Sequence, residues 1–334
     1  MKAYELQARE GFDSLTLVER QPPALGPHDV RVRVRAVSLN YRDLVLARMA
    51  RARSAPIVPA SDGAGEVIEL GSAVASRKLG DRVAGAFFPT WSDGELSDFH
   101  HANALGSGRD GMLAEEVVLP EAACVPIPEH LSLEEGATLP CAGVTAYHAL
   151  FEAAALRPGD TLLVQGTGGV SVFALQLAKA AGASVVLTSQ SPDKAERAKG
   201  LGADHVINYR ENPKWGEAAR AWTGGRGVDV AVEVGGPGTF DQSVAALRYG
   251  GTMSLLGVLT GMQGQVNTYA VFHKALRVAG VYVGSIRMFE AFNRAVSASR
   301  VRPVIDRTFA FDEARQAYEH MAAAKHFGKV VIRV

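Results

Sequence analysis

Residues 162–182 constrain this chain more than any other stretch. Residues 162–164, Leu-Leu-Val, form an apolar run that reads as a buried strand and stops at Gly166. The chain then turns through Gly168 and Gly169 into a segment whose apolar residues Val170, Phe173 or Ala174, Leu177 and Ala181 fall on one helical face. Strand, glycine turn and helix together are what a dinucleotide site needs. Gly166 permits the tight turn, and Gly168 lets the backbone approach a pyrophosphate. The helix N-terminus offers free N–H groups and a positive dipole to the anion. Thr167 lies within this loop, and Ser171 stands where the third glycine of G-x-G-x-x-G would be. A small side chain there still lets helix and strand pack closely. Residues 183–187 supply the next strand of a β-α-β unit, the context in which the glycine pattern means nucleotide binding and not an ordinary glycine-rich turn.

With 334 residues the chain has room for two domains with their own cores. Lys plus Arg equals Asp plus Glu at 35 each, so no long-range field draws nucleic acid or an acidic membrane surface. The first ten residues contain no apolar leader-like core, and no uninterrupted run reaches membrane-spanning length, so the expected location is cytoplasmic. Two cysteines, Cys124 and Cys141, cannot build a disulfide framework or a cysteine-only zinc site.

The first third is strand-like. Residues 30–35, Val-Arg-Val-Arg-Val-Arg, alternate with period two, and 65–70 and 81–85 continue in that style. Strands without long helices between them suggest an antiparallel or barrel-like domain. Residues 86–111 read as a long loop holding Trp91, Asp93, His100 and His101. From about residue 124 apolar strands and helices alternate. The expected strands are 161–165, 184–188, 229–234, 251–256 and 279–284, with a third strand of the sheet ending at Tyr209-Arg210. The expected helices are 132–151, 169–181, 192–201, 212–223 and 238–248. That is the pattern of a doubly wound parallel sheet. Pro192 follows Ser191 as a first helical residue follows its N-cap. Residues 289–334 hold a helix around 312–323 and a closing strand, 328–334, expected to return to the first domain.

Several motifs in a fixed order carry a resemblance over essentially the whole length. They are Asn40-Tyr41-Arg42-Asp43, Gly63-Ala64-Gly65-Glu66-Val67, Gly80-Asp81-Arg82-Val83, Leu139-Pro140-Cys141-Ala142-Gly143, Gly166-Thr167-Gly168-Gly169-Val170, Leu201-Gly202-Ala203-Asp204 and Gly328-Lys329-Val330-Val331. The chain resembles the medium-chain dehydrogenase/reductases, in the branch of zinc-independent quinone oxidoreductases and alcohol-dehydrogenase-like proteins. The resemblance implies an α/β protein with a GroES-like β-barrel catalytic domain (1–124 and 289–334) and an inserted Rossmann domain (125–288), with chemistry in the cleft between them.

Zinc-dependent members hold their catalytic metal with a cysteine, a histidine and a second cysteine. The matching positions here are Asn40, Asp62 and Cys141, a poor zinc set. Arg42 replaces the hydroxyl residue that passes the alcohol proton outward, and 86–111 contain no cysteine for a structural zinc. No metal is expected.

A carboxylate about 20 residues beyond the glycines would bind the ribose of NAD. That position holds Thr188-Ser189-Gln190-Ser191, with Lys194 following in the next helix. In similar NADPH-using enzymes a lysine and a tyrosine at matching positions hold the 2′-phosphate. The resemblance therefore implies NADPH, selected by Ser189, Lys194 and Tyr209; the alternative is a solvated lysine and a packing tyrosine. Gly235 and Gly257 follow the fourth and fifth strands, where the nicotinamide should lie, and Thr145 resembles the family's threonine beside it. Lys329 either approaches the cofactor from the other domain or is a surface lysine, and Gly257 either contacts the nicotinamide or only ends a strand.

Without zinc, a developing oxyanion needs other donors. Asn40 and Tyr41 stand where the metal would be bound. Tyr41 either supplies the final proton or forms a pocket wall. Asp62 orients Arg42 or a water, or forms a buried ion pair with Arg42. Cys141 fits a packed small residue better than a nucleophile. The function expected is NADPH-dependent reduction of a small quinone or α,β-unsaturated carbonyl compound. Reversible alcohol/carbonyl chemistry and a non-catalytic nucleotide-binding role are the alternatives. Residues 279–284 resemble an edge strand that joins two copies, so a homodimer is expected.

Overall fold

The alternating arginines mark the longest strand of the first sheet. After a two-stranded hairpin, β1 (Lys2–Leu6) and β2 (Leu15–Glu19), the chain enters β3 (Asp29–Leu39). Val30, Val32 and Val34 are buried, the arginines between them lie on the outer face, and the strand is wholly buried from Ala36 onward. β3 pairs antiparallel with β4 (Asp62–Leu70), which pairs with β5 (Arg82–Gly85). On the exposed face Arg31 meets Glu69 at 2.6 Å and Arg35 meets Glu66 at 3.1 Å, so the outward row is made of cross-strand opposite charges. β6 (Glu116–Pro120) pairs with β3, and β7 (Cys124–Pro126) with β5.

The computed structural model describes all residues, 1–334. They form two compact units, Met1–Val144 with Val283–Val334, and Thr145–Tyr282. The sequence placed the divisions at 124/125 and 288/289. The first moves later because the capped helix Leu133–Ala137 packs on β3 and β4. Residues 86–111 are less loop-like than expected. Phe87, Phe88 and Trp91 are buried, and a short helix, Asp98–Ala102, is capped by Ser97. The His100 ring stacks near Trp91 and its Nδ1 lies 3.3 Å from Thr90 Oγ1.

The second unit is a six-stranded parallel sheet: β8 (Thr161–Gln165), β9 (Ser184–Thr188), β10 (His205–Ile207), β11 (Val228–Glu233), β12 (Leu247–Leu255) and β13 (Arg277–Gly280). Their spatial order is β10-β9-β8-β11-β12-β13, the doubly wound arrangement the alternation predicts. β8 and β9 match their sequence-based bounds, each built on a three-residue apolar core, 162–164 and 185–187. β12 begins at Leu247, earlier than expected, and shortens the preceding helix to Pro237–Ala246. β13 lies at 277–280 and not 279–284. The stretch expected as one helix over 132–151 is helical but contains two wide π turns, Leu139–Gly143 and His148–Ala153.

The C-terminal residues return to the first unit, as expected. They hold more than one helix and one strand. The helix Ile286–Ser299 is capped by Ser285, whose Oγ accepts from Met288 N–H, and it buries Ile286, Phe289, Phe292, Asn293 and Val296. Then come β14 (Ile305–Ala310), the helix Ala314–Ala322 and β15 (Lys329–Arg333). β15 runs parallel to β14 and antiparallel to β3, completing the sheet β14-β15-β3-β4-β5-β7. No helix is long and apolar enough to cross a membrane.

Candidate functional site

The glycine loop is built as the sequence requires. β8 ends at Gln165, and Gly166 takes φ +67°, a left-handed conformation that turns the chain sharply. Thr167 is buried, and Gly168 caps the twelve-residue helix Gly169–Ala180. The first helical bond runs from Val172 N–H to the Gly168 carbonyl. The N–H groups of Gly169, Val170 and Ser171 therefore have no partner within the helix. Ser171 Oγ donates to the Gln165 carbonyl at 2.7 Å and ties helix to strand, so the small side chain at this position bonds as well as packs. A Cβ on Gly166 or Gly168 would meet no atom within 4 Å, so open space faces the positive helix end. These residues fit a dinucleotide pyrophosphate.

The residues expected to choose between NADPH and NADH lie at one end of β9 and β10. Ser189 N–H donates to the Ile207 carbonyl, and its hydroxyl lies 3.3 Å from both Ser191 N and O. Ser191 Oγ in turn accepts from Lys194 N–H, which sets Lys194 in the first turn of the helix Pro192–Gly200. Tyr209 packs half-buried on the core beside Ile207. No carboxylate occupies 188–191.

Beyond β11 the backbone is held by a network that sequence reasoning missed. Glu233 is fully buried and accepts from the N–H groups of Gly235 and Gly236 at 2.8 and 2.9 Å, and from the hydroxyls of Thr239 and Ser243. Gln165 Oε1 accepts from Val234 and Gly235 N–H. Thr260 N–H and Oγ1 both donate to the Gly235 carbonyl. The available signal was a Gln and a Glu ending two largely apolar strands. Gly257 has a packing reason to be glycine, since a Cβ there would stand 1.9 Å from the Val234 carbonyl oxygen. Thr145 is buried.

In the first unit, Asn40 caps the helix Tyr41–Arg48 and its N–H donates to Asp43 Oδ2 at 2.8 Å. Lys329, expected either to approach the cofactor or to lie at the surface, is 3% exposed and so is no surface lysine; its Nζ donates to the Leu39 carbonyl at 2.8 Å and to Asn40 Oδ1 at 2.5 Å. Asn40 Nδ2 is buried, and the amide lies against the Asp62 carboxylate, whose charged form it stabilises as a hydrogen-bond donor. Asp62 is fully buried and accepts from Ser61 Oγ at 2.6 Å and Cys141 N–H at 3.0 Å. Burial raises the Asp62 carboxyl above its ordinary range, while the Lys329 ammonium pulls it back most strongly. Burial likewise pushes Asp43 up to about 6 against the nearby Arg42.

The expected link between Arg42 and Asp62 does not form. Arg42 donates to the Leu105 carbonyl and Ser107 Oγ and lies over the Phe87 ring, and the carboxylate it approaches is Asp43, at 3.8 Å. Its place in the first turn of the helix aims it at the 105–107 segment. Tyr41 is 39% exposed.

The Asn40, Asp62 and Cys141 set does not fit zinc. A thiolate is required, yet burial and the Asp62 charge hold the Cys141 thiol far above the usual range. Asp62 is engaged by Ser61 and by the Cys141 backbone, and the neighbouring cation is an ammonium, which would repel a metal ion. No three His, Cys, Asp or Glu side chains are grouped to hold a metal.

Comparison with known proteins places these observations in a family context. Residues 26–129 match the alcohol dehydrogenase GroES-like domain, and residues 169–298 match the zinc-binding dehydrogenase family. A zinc-type alcohol dehydrogenase-like protein of Schizosaccharomyces pombe is 42% identical, over 97% of this chain and 96% of its own. A quinone oxidoreductase-like protein 2 of Bos taurus is 28% identical, over 95% of this chain and 88% of its own. The crystal structure of a putative alcohol dehydrogenase from Sinorhizobium meliloti 1021 superposes with a TM-score of 0.92 at 42% identity, covering 100% of this chain and 98% of that one. A solved NAD-dependent alcohol dehydrogenase gives a TM-score of 0.91 at 34% identity, with complete coverage of both chains.

Proposed function

The chain belongs to the medium-chain dehydrogenase/reductase superfamily and is an NAD(P)-dependent oxidoreductase, and from that premise we propose a zinc-independent, NADPH-dependent reductase of quinones or α,β-unsaturated carbonyl compounds. The observation that carries the reading is the set Asn40, Asp62 and Cys141, whose side chains do not suit a metal and stand beside the Lys329 ammonium. The loop 166–170 and the helix behind it would hold the pyrophosphate, Gly235 and Thr145 would lie toward the nicotinamide, and Ser189, Lys194 and Tyr209 toward the 2′-phosphate. Bound there, NADPH supplies the hydride. Asn40 and Tyr41 are the candidate donors to the carbonyl oxygen of the acceptor, drawing electron density from the carbon that accepts the hydride. Tyr41 returns the proton, directly or through water, so the product gains one hydride and one proton. An activated acceptor needs no more than this polarisation, whereas a plain alcohol must also lose its proton to a base. Gly257, given its contact with Val234, acts through packing, and Asp62 through the charge balance around Asn40.

The names of the alcohol dehydrogenase relatives favour a second reading, reversible alcohol/carbonyl interconversion. Nicotinamide absorbance followed over a panel of quinones, enones, aldehydes and alcohols separates the two. Turnover of NADPH with quinones or enones, and none with alcohols, is the expected result. Turnover confined to alcohols and aldehydes overturns it. We also propose a homodimer joined through β13, the open edge of the parallel sheet. Val278 is exposed on it, and Tyr269 and Phe272 are exposed on the preceding helix Thr268–His273.

A further inference from the structure

The parallel sheet reverses its strand order between β8 and β11: β9 and β10 lie on one side of β8, β12 and β13 on the other side of β11. A doubly wound sheet binds its ligand outside the carboxyl ends of the strands at such a switch point. Gln165 ends β8 and Glu233 ends β11, so the hydrogen bond between their side chains spans the switch point itself. Each bond around it has a fixed direction. Gln165 Oε1 accepts from Val234 N–H at 3.3 Å and Gly235 N–H at 3.2 Å, which turns its Nε2 the other way. That Nε2 donates to Glu233 Oε2 at 2.5 Å and to Ser243 Oγ at 2.7 Å, and Ser243 donates to Glu233 in turn. Glu233 Oε1 accepts from Gly235 and Gly236 N–H and from the Thr239 hydroxyl. Gly236 takes φ +88°, and a Cβ on it would stand 3.1 Å from the Gly257 carbonyl oxygen. The two side chains therefore hold the consecutive N–H groups of residues 234–236, where the chain has no larger side chain to anchor the turn.

We propose that Glu233 and Gln165 are a pair of positioning residues that preform the loop 234–236 for the nicotinamide half of the cofactor alone. The pairing rests on the dinucleotide reading and is independent of which acceptor is reduced. Ser189, Lys194 and Tyr209, assigned to the adenosine half, follow β9 and β10 and share no hydrogen bond with this network. Gly235 follows β11, on the opposite side of the switch point. A loop ordered during folding does not have to be ordered again by the ligand, so the network raises affinity without touching the cofactor.

The test exchanges the two side chains. Glu233→Gln sets two amide NH2 groups against each other, and Gln165→Glu sets two carboxylates against each other. In Gln165→Glu/Glu233→Gln every bond of the pair again has one donor and one acceptor, with its direction reversed, and Ser243 turns its hydroxyl proton toward the other strand. Affinities are read by titration calorimetry with NADPH and with adenosine 2′,5′-bisphosphate, which carries the adenosine half alone. Each single variant should weaken NADPH about 10-fold, the scale of a buried hydrogen bond replaced by an unmet group, and leave adenosine 2′,5′-bisphosphate within about twofold. The double variant should bring NADPH back to within about threefold of the wild type, because neighbouring changes compensate only when they restore a shared bond. If neither single variant folds, the double variant and Ser243→Ala, which removes one donor to Glu233, carry the same comparison. Equal weakening of both ligands overturns the proposal, since it marks general support of the domain. Unmoved NADPH affinity overturns it too, as does a folded double variant no better than the singles. Were NADH bound in preference to NADPH, the Lys194 reading would fall, while NADH and 5′-AMP would still judge Glu233 and Gln165.

Discussion

Gln165 Nε2 donates to Glu233 Oε2 at 2.5 Å, joining the last residues of two adjacent parallel strands. Glu233 is wholly buried, and the hydrogen bonds it accepts come from neutral groups. A buried carboxyl group persists only when its lone pairs are satisfied. Gln165→Leu removes one donor from Glu233 and the acceptor of Val234 and Gly235 N–H. It should cost about 1–3 kcal/mol in urea unfolding and weaken NADPH binding, since the segment it releases carries Gly235. An unfolding midpoint equal to that of the wild type would show that the network does not hold the loop.

Cofactor choice should respond to Lys194. If its ammonium bonds a 2′-phosphate, Lys194→Ala removes roughly 1.5–3 kcal/mol from NADPH binding. At about 1.4 kcal/mol per decade, NADPH affinity falls about 10- to 100-fold while NADH affinity is unchanged. Added salt should weaken NADPH binding more than NADH binding. Equal loss for both dinucleotides removes the lysine from the selector role.

Acid stability should follow Asp229. Burial works to raise its pKa, but Arg226 and Arg248, with the Thr161 N–H, outweigh burial and hold the carboxyl at about 2. The folded pKa lies below the unfolded one. The stabilisation is therefore fully present above roughly pH 4–5 and is lost as pH falls through the folded value. A shift of this size is worth on the order of 2 kcal/mol. In urea unfolding, Asp229→Asn should lie below the wild type at pH 7, and the gap should narrow toward pH 3. A gap independent of pH would assign the loss to packing.

Metal removal should change nothing. Purified protein should hold no stoichiometric zinc and keep its reductase activity in chelator, because Cys141 alone among the three positions matches the ligand set of the zinc-dependent relatives. Elemental analysis finding about one tightly held zinc per chain would point to ligands outside the Asn40, Asp62 and Cys141 set.

The proposed homodimer predicts a sedimentation mass of twice the chain at micromolar concentration. Placing a charge on the exposed edge, Val278→Lys, should shift it toward monomer, since edge charges block strand pairing. A monomeric wild type would reject the assignment.

The sequence by itself determined the elements whose signals are local. The valine–arginine alternation became β3, and the glycine loop became strand, turn and helix at 161–180, because periodicity and backbone freedom are properties of neighbouring residues. The helix Ile286–Ser299 carries the same kind of local signal, a Ser cap followed by apolar residues three and four apart. The buried pairings were decided elsewhere. Nothing near Arg42 tells that its guanidinium goes to Leu105 and Ser107 and not to Asp62, and nothing near Lys329 announces a buried ammonium. Lys329 meets Asn40 only after a whole second unit has been inserted between β3 and β15 and the two strands have aligned in one register. Strand pairing is a property of two distant segments at once, and a shift of one residue would turn the lysine to the opposite face of the sheet.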